Sequence, residues 1–329
     1  MAILLTMKDV QQVLDMKSTI EILEQGFSEL AAGQAVMPQR TPIRVEAAPG
    51  LALFMPAYLP GMQALGAKVV TVYGRNPAER NLPAVLGTII LLDADTGEPV
   101  CLMEGGFLTA MRTGGVSGVA TKHLARRDSR VHALLGTGVQ ARAQAWAVAE
   151  AAELDKCLVW SIDLPDKQAA FAADIEKLTG VKTEVAGSAE AAVQACDILT
   201  LATSAKDPII DGDWLKPGTH VNGIGSHAPG MRELDTVSVQ RSKVVCDLLS
   251  ACQAEAGDFI IPAEAGEWSW DRVHGDLGQV VSGELPGRES DDEITLFKSV
   301  GLAIQDMSTA WQVYSLARSK GVGTEFAFR

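Results

Sequence analysis

The spacing of hydrophobic and polar positions changes several times along the chain, and each spacing predicts a type of element. Across residues 6–30 the apolar residues recur at helical intervals, and Gly33 follows as a stop signal. Between residues 38 and 92 prolines and glycines separate short extended runs, which is typical of a β-rich segment. The chain therefore begins with an amphipathic helical segment and continues into a sheet.

Strand and helix patterns alternate from residue 130 to about residue 258, which predicts an α/β fold with a doubly wound parallel sheet. The six predicted strands are apolar runs at residues 131–135, 157–162, 181–185, 198–202, 220–224 and 244–247. After a polar, tryptophan-bearing stretch at residues 267–293, a last amphipathic helix is predicted over residues 296–320. This helix is long enough to return from the second domain to the first.

A glycine-rich turn follows the first strand of the alternating region. Its residues are Gly136, Thr137, Gly138, Val139 and Gln140, and an alanine-rich helical run begins with them. The first glycine permits a tight turn and the second lets the backbone approach a pyrophosphate, while the helix N-terminus offers N–H groups and a positive dipole end. Within a βαβ unit this pattern predicts a Rossmann-type dinucleotide site at these five residues. The alternative is a tight strand-to-helix turn without a ligand.

Composition and charge limit the possible partners. The chain has 329 residues, enough for two domains, and its net charge of −13 argues against binding to nucleic acid or to an anionic membrane. Five scattered cysteines give neither a disulfide framework nor a zinc spacing, so no metal site is predicted. The first apolar segment is too short for a signal peptide, and no run of about 18 apolar residues occurs. We therefore expect a cytoplasmic protein.

Two cations occur where a solvated surface is not expected. Lys68 lies in an apolar strand pattern, and Arg112 is flanked by small residues in a helical pattern. In an acidic chain such cations indicate an anion site, because a guanidinium offers paired donors to a carboxylate and a desolvated lysine can also release a proton. Arg40 and Arg44, on either side of Pro42, can close the same site, and at least one of them is expected to be solvated. The alternative for each cation is a surface charge or a structural ion pair.

Asp163 follows the second predicted strand and bears on the choice of cofactor. An acid about twenty residues past the glycine turn accepts hydrogen bonds from the ribose hydroxyls and repels a 2′-phosphate, so NADH is expected to be preferred. Lys167 is close enough in sequence to keep NADPH possible. The alternative is that Asp163 caps the helix that begins near Pro165.

Seven sequence motifs resemble those of the ornithine cyclodeaminase and μ-crystallin family. They are residues 37–41 (MPQRT), 54–58 (FMPAY), 67–68 (AK), 108–113 (LTAMRT), 136–141 (GTGVQA), 225–235 (GSHAPGMRELD) and 295–303 (TLFKSVGLA). The resemblance implies a homodimer, with a Rossmann domain (residues 123–307) inserted into an α+β substrate and dimerisation domain (1–122 plus 308–329).

The same resemblance implies roles for individual residues. A nicotinamide cofactor is implied, with the substrate carboxylate held by Arg40, Lys68 and Arg112. Arg112 is also expected near the cofactor phosphates, and Ser299 in the last motif is assigned to cofactor binding.

Members of this family divide into cyclodeaminases, ketimine reductases and amino-acid dehydrogenases. In ornithine-type cyclodeaminases the turn after the fifth Rossmann strand has a sequence similar to Gly-Asp-Cys-Pro-Gly-Lys. This chain has SHAPGM at the corresponding residues 226–231. The carboxylate that would act on the amino groups is absent, and Met231 replaces the lysine. The resemblance therefore favours reduction of a small imino acid to an L-amino acid, or the reverse dehydrogenation. Cyclodeamination of ornithine or lysine, and non-catalytic ligand binding of the μ-crystallin type, remain alternatives.

His227 stands where the cyclodeaminase motif has the aspartate. It follows a predicted parallel strand at the carboxyl edge of the sheet, where ligands bind in open α/β sheets. An imidazole titrates near neutrality and can donate a proton to an imine nitrogen, so His227 and Lys68 are the expected catalytic residues. The alternative is that His227 only bonds the backbone of its own turn.

Overall fold

The structure is a computed structural model that describes residues 1–327, and it divides into two compact units. One unit comprises residues 1–112 and the C-terminal segment from Leu302, and the other comprises residues 113–301. The expected domain bounds at 122 and 308 fall inside two helices, Gly106–Leu124 and Ala303–Lys320. Residues 328–329 of the expected C-terminal segment lie outside the described residues. No helix within residues 1–327 is long and apolar enough to cross a membrane.

Strands and helices follow one another along the whole described chain. In order they are β1 (Ala2–Leu5), α1 (Met7–Val13), α2 (Met16–Ala31), β2 (Thr41–Val45), β3 (Gly50–Leu59), β4 (Ala64–Val72), α3 (Asn76–Arg80), β5 (Val85–Leu92), β6 (Pro99–Glu104), α4 (Gly106–Leu124), β7 (Val131–Leu135), α5 (Val139–Ala151), β8 (Lys156–Trp160), α6 (Pro165–Thr179), β9 (Lys182–Val185), α7 (Ala189–Ala195), β10 (Ile198–Leu201), β11 (His220–Gly223), α8 (Thr236–Arg241), β12 (Lys243–Cys246), α9 (Leu249–Glu255), α10 (Gly257–Glu264), β13 (Val273–Asp276), α11 (Leu277–Val281), β14 (Thr295–Lys298), α12 (Ala303–Lys320) and β15 (Thr324–Phe326).

The first unit contains a mixed seven-stranded sheet in the order β15-β1-β6-β5-β4-β3-β2. Strands β2 to β6 form an antiparallel meander, and α12 packs against α2, β3 and β4. Residues of β4 are alternately buried and partly exposed from Ala64 to Val70, as expected for a strand with one face on the core, and Lys68 lies on the buried face. The helical start is two helices rather than one, because Asp15 caps α2 by accepting a hydrogen bond from the Ser18 amide at 2.8 Å.

The second unit contains an eight-stranded parallel sheet in the order β13-β12-β14-β11-β10-β7-β8-β9, which confirms the predicted doubly wound fold. Ala133 and Leu135 of β7 pack in one apolar cluster, and Leu134 between them packs in another. Both faces of the sheet are therefore covered, as parallel sheets require. The strand order reverses between β7 and β10, and in such sheets ligands bind outside the carboxyl ends of the strands at this point.

The predicted start of the last helix at residue 296 is wrong. Residues Thr295–Lys298 form β14, which pairs with β11 and β12, and the helix begins only at Ala303. All four residues of β14 are buried, including Lys298. A strand buried on both faces shows no polar alternation, so its short apolar run cannot be distinguished by periodicity from the helix that follows.

Candidate active site

Two buried cations of the first unit meet at one carboxylate oxygen. Lys68 on β4 places Nζ 2.7 Å from Oδ1 of Asp306, and Arg112 on α4 places Nε 3.0 Å from the same atom. Nη1 of Arg112 also donates to Oε1 of Gln305 at 2.6 Å. Lys68 is 1% exposed, Arg112 7% and Asp306 0%. Three elements that are distant in the sequence, β4, α4 and α12, thus build one ion cluster.

This cluster carries more positive than negative charge. The pKa of Lys68 is lowered from 10.5 to about 7. Burial is the largest cause, and the positive charges of Arg112 and Arg40 act in the same direction, while Asp306 opposes them. Oδ2 of Asp306 and Nε2 of Gln305 are buried and have no hydrogen-bond partner within residues 1–327. The excess positive charge and the unused donor Nε2 of Gln305 suit a second carboxylate, supplied by a ligand.

Of the predicted anion-site residues, Lys68 and Arg112 share a partner, while Arg40 lies half-buried in the segment before β2. Gln305 and Asp306 were not predicted. A signal was present, since Asp306 lies between the apolar residues Ile304 and Met307 of the predicted last helix, and a fully buried acid almost always has a charged partner.

The predicted glycine turn forms a cradle between β7 and α5. Gly136 has a φ of +120°, and a Cβ at this position would lie 2.5 Å from the carbonyl oxygen of Ala202, so only glycine fits. Gly138 is the N-cap of α5 without a side-chain cap, and no described atom lies within 4 Å of the position of a Cβ there. Oε1 of Gln140 is buried and lacks a partner among residues 1–327.

The amide groups at the start of α5 therefore face open space without a capping side chain. This is the local structure that binds phosphate, and these residues fit the pyrophosphate of a dinucleotide.

Asp163 lies beside this turn, after β8. Its carboxylate accepts hydrogen bonds from the hydroxyls of Thr137 and Ser161, and Lys167 Nζ lies 2.7 Å from its Oδ1. These donors, Lys167 first, hold the pKa of Asp163 below its usual range. Asp163 does not cap α6, because Leu164 is the N-cap and no side chain caps it. Asp163 is thus an ionised acid tied to the glycine turn through Thr137.

Two large apolar side chains on either side of Asp163 are exposed. Ile162 is 95% and Leu164 78% exposed. Side chains of this kind at the rim of the switch point suit contact with a flat apolar ring.

His227 is exposed in the turn that follows β11. Its Nδ1 lies 2.9 Å from the carbonyl oxygen of Gly225. A carbonyl only accepts, so Nδ1 carries the hydrogen and Nε2 is the nitrogen at which proton exchange with a ligand would take place. The backbone bond of the alternative interpretation is therefore present, and it leaves the chemical role possible.

A buried acid that the sequence analysis missed, Glu233, holds this turn. Its carboxylate accepts from the Gly225 amide at 2.7 Å and from the amide and hydroxyl of Thr203, each also at 2.7 Å. Asp258 in turn accepts from the Glu233 amide at 2.6 Å, and Lys298 Nζ lies 2.7 Å from Asp258. The loops after β10 and β11 are thus fixed to one carboxylate.

Ser299 lies at the carboxyl end of β14. Its hydroxyl donates to Asp247 Oδ2 at 2.7 Å, and the same oxygen accepts from the amides of Val300 and Gly301 at 2.9 Å. Within the described part of the chain this hydroxyl therefore serves to hold the loop after β14. No group of three or more potential metal-binding side chains occurs among residues 1–327.

The chain is similar to known proteins over nearly its whole length. A sequence model of the ornithine cyclodeaminase/mu-crystallin family matches residues 1–321. A Delta(1)-pyrroline-2-carboxylate reductase of Bacillus cereus is 36% identical over 327 residues, which cover 99% of this chain and 100% of that protein.

Two solved structures are similarly close. The Delta(1)-pyrroline-2-carboxylate reductase of Thermococcus litoralis, in complex with NADH and L-proline, has a TM-score of 0.95 and 45% identity over 98% of this chain and 100% of that one. An archaeal alanine dehydrogenase dimer with bound NAD has a TM-score of 0.93 and 34% identity, with coverage of 100% and 99%.

Proposed function

Because the chain belongs to the ornithine cyclodeaminase/mu-crystallin family, we propose that it is an NAD(H)-dependent oxidoreductase that reduces a small imino acid to an L-amino acid, or catalyses the reverse reaction. The observation that carries this proposal is the cluster in which Lys68 and Arg112 share Oδ1 of Asp306. A substrate carboxylate can balance the remaining positive charge. The similar pyrroline-2-carboxylate reductase and alanine dehydrogenase act on a cyclic and a linear substrate, respectively, and both substrates have this carboxylate.

Each group has a definite task in this reaction. Lys68 and Arg112, with Arg40, orient the substrate by its carboxylate, and Gly136 to Gln140 hold the cofactor pyrophosphate at the start of α5. A nicotinamide cofactor, when bound, would supply the hydride needed to reduce the imine carbon. The C=N bond becomes a C–N single bond, and its nitrogen takes a proton from His227 Nε2 or from the Lys68 ammonium. In the reverse direction the same groups accept the proton.

We also propose that NADH is preferred to NADPH. Asp163 is ionised and can accept from the ribose hydroxyls, and its charge disfavours a 2′-phosphate. The ion pair with Lys167 supports this preference, because it engages the nearest cation that could otherwise receive the extra phosphate.

A homodimer in the cytoplasm is the remaining part of the proposal. Two exposed large apolar residues, Ile43 on β2 and Phe54 on β3, lie on one face of the first unit's sheet, and apolar surface of this kind marks protein interfaces. The similar alanine dehydrogenase is a dimer. The five cysteines are unpaired and buried, which supports a reducing compartment. Light scattering coupled to size-exclusion chromatography tests the dimer.

Turnover with defined substrates tests the reaction. Pyrroline-2-carboxylate, piperideine-2-carboxylate, and pyruvate with ammonia are each supplied with NADH, and oxidation of NADH is followed by its absorbance. We expect reduction of at least one imine and little ammonia release from ornithine. Conversion of ornithine to proline would instead establish cyclodeamination, and NADH binding without any turnover would indicate a binding protein.

A further inference from the structure

We propose that Asp306 is a positioning residue that sets the charge and the separation of Lys68 and Arg112. This inference rests on the proposed function and concerns how its anion site works. Both cations contact a single oxygen of Asp306, at 2.7 and 3.0 Å, so this oxygen fixes the distance between them. The carboxylate is fully buried on α12, where packing against β3 and β4 prevents it from following a moving side chain.

The charges around Lys68 explain why Asp306 is needed. Two of the charges acting on Lys68, those of Arg112 and Arg40, favour loss of its proton, as does burial. Asp306 is the opposing charge among the groups of the described chain that act on Lys68, and its hydrogen bond also favours the ammonium form. With Asp306 in place, Lys68 keeps enough ammonium character near neutral pH to attract a carboxylate and to donate a proton. Without it, Lys68 becomes the neutral member of the cluster.

The substrate carboxylate cannot replace Asp306 in this role, because it arrives only with the substrate. Before that, Asp306 is the counter-ion that keeps two buried cations together. Oδ1 alone makes the contacts with both cations, while Oδ2 has no partner among residues 1–327. The geometry thus separates a permanent counter-ion from a transient one.

A pH profile distinguishes this role from a purely structural one. Imine reduction that needs the Lys68 ammonium falls as the pH rises through the pKa of Lys68. Removal of the neighbouring negative charge in Asp306→Asn lowers that pKa, so the alkaline limb of kcat/KM should move to lower pH by about 1–3 units. Asp306→Glu keeps the charge and should leave the limb where the wild type has it, with kcat reduced by the altered distance.

The experiment measures kcat and KM for one imine across the neutral and alkaline range in the wild type, Asp306→Asn and Asp306→Glu. The matched control is Asp197→Asn, which removes a buried acid paired with Lys216 at 2.9 Å in the other unit, and which should not move the limb. A loss of activity in Asp306→Asn with an unmoved limb would overturn the proposal. A shift of the alkaline limb in Asp306→Glu would also overturn the proposal. This second variant can be measured even if Asp306→Asn does not fold.

A readout without turnover separates this inference from the proposed function. The ¹³Cε chemical shift of Lys68, assigned with a Lys68→Arg variant, reports the pH at which the amine loses its proton and does not require a reagent to reach it. We expect the midpoint of this titration at lower pH in Asp306→Asn than in the wild type, even if no imine is reduced. Equal titration curves in the two proteins would count against Asp306 whether or not the enzyme turns over.

Discussion

Substitution of either cation in the cluster leaves Asp306 with one partner, so the fold should survive while the anion site fails. In Lys68→Ala and Arg112→Ala the substrate carboxylate loses a charge-assisted bond in a desolvated site, a cost of about 2–4 kcal/mol in transition-state binding. We expect kcat/KM to fall by about 30- to 1000-fold in each variant, with little change in melting temperature. The control is Arg44→Ala, an exposed arginine on β2, which should keep its activity. Near-normal kcat/KM in both variants would remove these residues from the site.

The negative charge of Asp163 is expected to determine the preference for NADH over NADPH. The wild type should have a lower KM for NADH than for NADPH. Asp163→Asn removes the repulsion of a 2′-phosphate and releases Lys167 to meet it, so the ratio of kcat/KM for NADPH over NADH should rise by about tenfold or more. Steady-state kinetics with both cofactors measure the ratio. The control is Asp174→Asn, which alters a half-buried acid on α6 that is paired with Arg142. A wild-type KM for NADPH equal to or below that for NADH would contradict the preference.

Substitution of His227 distinguishes a role in proton donation from a role in holding the backbone of its turn. If Nε2 delivers the proton, His227→Ala should lower kcat for imine reduction by about 10²–10⁴-fold and leave the dissociation constant of NADH unchanged. The matched control is His274→Ala, which replaces a half-buried histidine of the same unit whose Nε2 lies 2.8 Å from the Pro286 carbonyl oxygen. Unchanged turnover in His227→Ala would contradict a catalytic role for this side chain.

Among the secondary-structure elements, the sequence predicts those that are determined by residues close to one another in the chain. The glycine turn at residues 136–138 and the strand Val131–Leu135 follow from residues within one βαβ unit. Strand β14 was missed because its identity depends on the neighbours β11 and β12, which bury it on both faces. Asp306 was missed for a related reason, since its partner Lys68 lies 238 residues away and no local pattern records that pair.

Glu233 connects two elements whose loops adjoin the glycine turn. Its carboxylate accepts from Thr203 after β10 and from Gly225 after β11, and an amide in Glu233→Gln would turn its NH₂ group toward one of these donors. An unsatisfied buried donor costs about 1–3 kcal/mol, so we expect a melting temperature lower by several degrees and weaker NADH binding. Glu289→Gln, which alters an exposed acid that pairs with Lys243, should change neither property. Normal NADH affinity with reduced stability would limit Glu233 to a structural role.

At the scale of the whole molecule, two buried histidines couple the stability of the protein to pH. His132 contacts Thr200 at 3.0 Å, and His220 contacts Thr295 at 2.9 Å, both inside the parallel sheet. Burial lowers the pKa of each from 6.5 to about 3. The unfolded chain therefore binds more protons than the folded one between these values, and the free energy of unfolding falls as the pH drops through this window.

The size of this effect is measurable. At pH 4.5 each histidine is protonated when unfolded and neutral when folded, a difference of about 2–3 kcal/mol per group. Urea unfolding at pH 7.5 and pH 4.5 should show a loss of stability that includes both contributions. The double variant His132→Gln, His220→Gln is expected to be less stable at pH 7.5, because it disturbs the buried bonds to Thr200 and Thr295, yet to lose less on acidification than the wild type. Acid-titrating carboxylates act equally in both proteins, so equal losses would mean that the two imidazoles do not control acid unfolding.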